Sequence, residues 1–155
     1  MGARLILEPY FEELQEKFIQ AGLEKVSEVK LRCQLGLHDT PRHFAGCVED
    51  GRIIYAAPEL VEMPTDTVLG ILAHELGHAA DFLYPGEFVL RGDHVIRVEP
   101  DRQRMKGWNK RDDDTVEITA DYIAEKALGA PIGYRGPCHL QSLGRPGSPR
   151  PIGLR

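Results

Sequence analysis

Hydrophobic positions recur along the chain with two different periods, and each change of period marks an expected change of element. Phe11, Leu14, Phe18 and Ala21 stand at helical spacing. Pro9, Glu12 and Glu13 suit a first turn and Gly22 a stop, so the spacing predicts a core-packing helix over about residues 9–21. From residue 29 the period falls to two. Val29, Leu31, Cys33 and Leu35 then share one face and Lys30, Arg32 and Gln34 the other, which predicts a half-buried strand over 29–35. Residues 36–43 read as a loop. Two further strand-like runs, 44–48 and 52–57, are joined through Glu49-Asp50-Gly51, a hairpin signal. A small antiparallel sheet is expected, and its edge near residues 52–57 is where an extended peptide could add itself as another strand.

The period then returns to helical. Leu69, Leu72, Leu76, Ala79 and Leu83 form one stripe, Pro64-Thr65-Asp66 supplies a start and Tyr84-Pro85-Gly86 a stop. Opposite that stripe lie the two histidines of His74-Glu75-Leu76-Gly77-His78. At about 100° per residue the two histidines sit within about 40° of each other, one turn apart, so both imidazoles can reach one metal ion. The stripe places them on the side away from the core. Glu75 lies about 100° round from His74, off the ligand face but placed to hold a water in an open metal position, and its expected role is general base.

Residues 88–90 and 94–98 flank Arg91-Gly92-Asp93 and predict a second hairpin. The following run, 102–111, is basic and holds the only tryptophan, Trp108. It reads as a solvated loop over the site or as a contact surface for nucleic acid or an acidic partner. A second clear helix is expected over 115–128, opened by three aspartates and stopped at Gly129. Val116, Ala120, Ile123, Ala124 and Ala127 make its packing stripe, and Glu117 and Asp121 lie together on the border of that stripe. Small residues on both helices, Ala73 and Gly77 against Ala120 and Ala124, would permit close approach. Six glycines, five prolines and four arginines among the last 27 residues, with no acid, predict an irregular basic tail.

Composition narrows the class. At 155 residues and 42% hydrophobic content the chain fits one domain over 1–129, with the tail over 130–155. No apolar run is long enough for a membrane span, the amino-terminal apolar stretch is too short for a signal peptide, and a cytoplasmic location is the default expectation. A net charge of −5 argues against general nucleic-acid binding. Three cysteines without a C-x-x-C pair read as reduced thiols.

A catalytic zinc takes three protein ligands and leaves a place for water, so two histidines are one short. Glu117 is the expected third, with Asp121 one turn later to accept a hydrogen bond from a ligand histidine. Asp81 shares the histidine face but stands about 10 Å along the helix from His74. Cys47, in Ala45-Gly46-Cys47-Val48-Glu49, is a minor alternative through a resemblance to the cysteine ligand of peptide deformylases, which share the histidine motif, although the spacing does not match.

His74-Glu75-Leu76-Gly77-His78 followed by Glu117-Ile118-Thr119-Ala120-Asp121 resembles the gluzincin metallopeptidase pattern, H-E-x-x-H with a later E-x-x-x-D. Gly51-Arg52-Ile53-Ile54-Tyr55 ahead of the helix and Ala73 to Ala79 within it are similar to the minigluzincins and the ImmA/IrrE-like peptidases. The resemblance implies zinc on His74, His78 and Glu117, Glu75 as general base and Asp121 as the residue that orients His74. It also implies a zincin-like α+β fold, with a small antiparallel-edged sheet packed on an active-site helix and a second metal-ligand helix. The expected activity is hydrolysis of peptide bonds in a peptide or protein substrate. Thermolysin-like members carry a helical second domain after the first metal helix, whereas about 30 residues separate the two helices here. An oxyanion-stabilising side chain has no fixed counterpart, and His94 and Tyr84 are the candidates. The alternative class is a zinc-stabilised interaction module without catalysis, for which Cys138-His139 could supply another ligand; a deformylase-like amidohydrolase is a third.

Overall fold

The computed structural model describes residues 2–33, 45–48, 51–92, 94–106 and 108–130. The expected loop at 36–43, the turn residues Glu49 and Asp50, and the tail beyond Ala130 with Cys138-His139 lie outside the described residues.

Helix α1 (Gly2–Gln20) begins at residue 2 rather than near Pro9. Leu7 extends the stripe of Phe11, Leu14 and Phe18 by one more turn, and all four are buried. That burial outweighs the cost of a proline inside the helix. Pro9 and Leu5, whose carbonyl would have received the missing N–H, are both exposed.

The strands are β1 (Lys30–Cys33), β2 (Ala45–Val48) and β3 (Ile53–Ala56), in spatial order β1-β3-β2. Strand β1 keeps its expected alternation, with Leu31 buried and Lys30 and Arg32 exposed. The hairpin of β2 with β3 is antiparallel as expected, but β1 joins β3 in parallel, so the sheet is mixed. Strand β3 is therefore central. The expectation of a free peptide-accepting edge along residues 52–57 is corrected accordingly, because both sides of β3 carry ladder bonds. Its burial fits this position: Ile53, Ile54 and Ala56 are all buried, as a strand covered on both faces requires.

Helix α2 (Thr65–Leu83) carries the histidines, and β4 (Phe88–Arg91) pairs with β5 (His94–Arg97) as an antiparallel ribbon. The basic run folds into the short helix α3 (Arg102–Lys106) and a single 3-10 turn at Trp108–Lys110. Helix α4 (Asp113–Leu128) opens on Asp112, whose Oδ1 accepts the Thr115 N–H at 2.7 Å, and closes on Gly129 in the left-handed region at φ 71°. Helix α2 thus packs against α1 and the sheet on one side and against α4 on the other. One apolar cluster runs through α1, the three-stranded sheet, α2, the hairpin and α4. Among the described residues no helix is long and apolar enough to cross a membrane.

Candidate metal centre

Apolar periodicity placed the histidines on the outward side of α2, and here the structure differs. His74 is 1% and His78 8% exposed, because α4 covers their face while α1 and the sheet cover the opposite one. A helix flanked on both sides has no solvated face along its middle turns. What α4 lays over the histidines is polar, so the burial is chemically paired.

Close approach comes from Gly77. A Cβ there would stand 2.2 Å from the carbonyl oxygen of Ala120, so the backbones of α2 and α4 meet where only glycine fits. With the backbones this close, side chains to either side interleave. Glu117 reaches both histidines: its Oε1 lies 2.9 Å from His74 Nε2 and its Oε2 3.1 Å from His78 Nε2. Asp121 Oδ1 lies 2.7 Å from His74 Nδ1. The two imidazoles meet edge to face, with centroids 4.5 Å apart and planes at 86°.

The electrostatics follow from this packing. Burial opposes a charge on His74, but the carboxylates of Asp121 and Glu117 override it and hold its pKa well above the usual imidazole value. Burial likewise opposes a charge on His78, and Glu117 overrides it to raise the pKa. Burial favours neutral Glu117, yet His78 and His74 pull its carboxyl far below the ordinary range. Glu75, 4% exposed, is different: burial raises its pKa, and attraction to His74 and His78 only partly offsets the rise.

His74, His78 and Glu117 form a buried group that could hold a metal ion, with one ligand atom from each lying within 4.8 Å of the others. The donor chemistry fits a divalent cation. Two nitrogens and a carboxylate face one another at 2.9 and 3.1 Å, close to the roughly 3.3 Å edge of a tetrahedron with metal bonds near 2.05 Å. The Nδ1 of His74 is already bound to Asp121, which leaves its Nε2 as the ligand atom.

The other expected residues stand elsewhere. Asp81 is outside the group and pairs with Arg111 at 2.9 Å. Tyr84 is 7% exposed, and its hydroxyl accepts the Lys25 backbone N–H at 2.9 Å, beneath the guanidinium of Arg97. His94 is exposed at the start of β5. The side chain of Cys47 lies outside the described residues.

Sequence reasoning placed Trp108 and Arg111 in a basic run, as a solvated loop or a contact surface, and missed their contact with each other and with Asp81. The guanidinium stacks on the indole at 3.6 Å, its Nε donates to the Trp108 carbonyl at 2.9 Å, and the indole N–H donates to the Asp81 carbonyl at 3.3 Å. The available signal was the only tryptophan of the chain three residues before an arginine, two side chains able to stack on each other. No family model, curated protein or solved structure matches the chain.

Proposed function

We propose that the protein is a zinc-dependent metallopeptidase of the gluzincin type, with His74, His78 and Glu117 as metal ligands. The observation that carries this reading is Glu75: a buried carboxyl group on the ligand helix, next to His74 in sequence and outside the donor set. A purely structural site has no use for it, whereas a hydrolase needs a group that accepts and returns a proton.

A zinc ion, when bound, supplies a Lewis acid that polarises a carbonyl and acidifies a water. Glu75 accepts the proton of the attacking water as its oxygen bonds to the carbonyl carbon. It returns that proton to the nitrogen as the carbon–nitrogen bond breaks. Asp121 fixes His74 in one tautomer and orientation.

The test is cleavage of a mixed peptide library by metal-replete protein, read by mass spectrometry beside elemental analysis. Glu75→Gln is expected to keep about one metal per chain and lose roughly 10²- to 10⁴-fold in rate. Glu117→Ala is expected to lose the metal. Full activity in Glu75→Gln would overturn the mechanism.

A second reading draws on the position of the donors. They bridge α2 and α4, so a metal there would also tie the two helices together as in a structural zinc site. Four protein ligands on the bound metal would favour that module, and an open position the enzyme.

A further inference from the structure

Helices α2 and α4 run antiparallel, and their polar contacts form a ladder of three rungs. His74 meets Asp121, His74 and His78 share Glu117, and Asp81 meets Arg111, one residue ahead of the α4 cap. The first two rungs put an imidazole on α2 opposite a carboxylate on α4. The third reverses the order, with the carboxylate on α2 and the base on the α4 side. A slide of α4 by one turn would turn Glu117 toward Asp81, so that two carboxylates meet inside a buried seam, or would carry Arg111 away from Asp81 and leave both without their partner.

The base of the third rung is held more rigidly than an ion pair requires. Arg111 Nη2 donates to Asp81 Oδ2, its Nε to the Trp108 carbonyl, and its guanidinium carbon lies over the indole, which itself donates to the Asp81 carbonyl. Asp81 is 1% exposed, and the next residue after Arg111 is the cap of α4. The start of α4 is therefore fixed to the last turns of α2, five residues before Glu117. Asp81 Oδ1 and Arg111 Nη1 find no hydrogen-bond partner among the described residues. Buried ionic groups left partly unsatisfied are a poor source of stability and a good source of register.

We infer that Arg111 is a positioning residue for the metal centre: its planar fork, clamped between Trp108 and Asp81, sets the register of α4 that brings Glu117 across both histidines. The inference rests on the metal centre proposed above. Lysine carries the same charge without the fork or the stack, so charge and geometry separate experimentally.

Zinc alone is titrated into the full chain against a chromophoric chelator, and the visible spectrum of the cobalt-substituted protein reports ligand geometry. Arg111→Ala and Arg111→Lys are each expected to weaken zinc binding about 10- to 100-fold and to change the cobalt spectrum. Leu72→Ala, a core truncation, is expected to lower stability and leave both readouts at wild-type values. Wild-type affinity and spectrum in Arg111→Lys would reduce the role to charge and overturn the inference. The same result in Arg111→Ala would overturn any role in positioning. If Arg111→Ala fails to fold, Arg111→Lys still decides. Glu117→Ala, run in parallel, separates the two levels. Loss of zinc there with unaltered Arg111 variants sinks only the positioning role, whereas retention of zinc sinks the centre and the positioning role together.

Discussion

The two buried sides of helix α2 are built on different physics. Toward α1 and the sheet it presents Leu72, Leu76 and Ala79, which need only neighbours of the right volume. Toward α4 it presents His74, His78 and Asp81, each of which needs a particular atom at hydrogen-bond distance. Every buried carboxyl and imidazole side chain among the described residues belongs to α2 or α4. An apolar core explains why the chain folds, but it does not account for five buried ionisable groups on two helices, whose desolvation costs free energy that apolar residues would avoid.

The sharpest break of this contrast is Gly77→Ala. Its Cβ would overlap the Ala120 carbonyl, so α4 must move away from both histidines. A loss of about 4 kcal/mol or more in denaturant unfolding is expected, together with loss of metal binding; an unchanged midpoint would show that the seam tolerates separation. Next is Leu72→Ala on the apolar side, expected to cost about 3 kcal/mol while metal stoichiometry stays the same. A fall in stoichiometry there would mean that the two sides are not independent. Asp112→Ala removes the cap of α4 and is expected to cost about 1 kcal/mol by thermal unfolding.

The smallest effect is a pH trend, and its sign differs between metal-free and metal-loaded protein. His74 and His78 have folded pKa values above their unfolded ones, so the stability they contribute is full below the unfolded value and is lost as pH rises through the raised one. The depressed pKa of Glu117 works in the opposite sense, and its contribution is lost only in acid. Metal binding needs both imidazoles deprotonated, so affinity rises over the same interval in which the metal-free protein weakens. The gap in Tm between loaded and metal-free protein should therefore widen from about pH 6 to pH 8. A gap that narrows would contradict the donor set.

Much of the seam was legible before the fold was known. His74, His78, Glu117 and Asp121 sit at four-residue spacing on segments with clear start and stop signals, and helical geometry alone brings each pair to one face. The burial of the histidines was not legible, because reading one apolar stripe assumes one covered face. Carboxylates on α4 made a second covered face affordable. The parallel pairing of β3 with β1 was hidden for a related reason: Ile53, Ile54 and Ala56 are a nearly continuous apolar run, the mark of a strand covered on both faces as parallel strands are, yet the nearby hairpin signal accounted for it first. Arg111 looked like one charge in a basic run, and only its stacking on Trp108 distinguishes it from Lys110.

The contact of Gly77 with Ala120 also has a temporal side. The residues it joins are separated by the whole β4–β5 ribbon and α3, so nothing local can bring them together. During synthesis α1, the sheet and α2 are available to one another first, and their apolar surfaces can collapse while α4 is still being made. At about 5–20 residues per second, His74 waits on the order of several seconds for Glu117 to follow it from the ribosome. For that interval α2 has one satisfied side and one exposed row of imidazoles and acids, water-soluble by its polarity and ready to be covered. The same polarity that makes the seam costly in the finished fold keeps the half-made one from presenting a sticky surface.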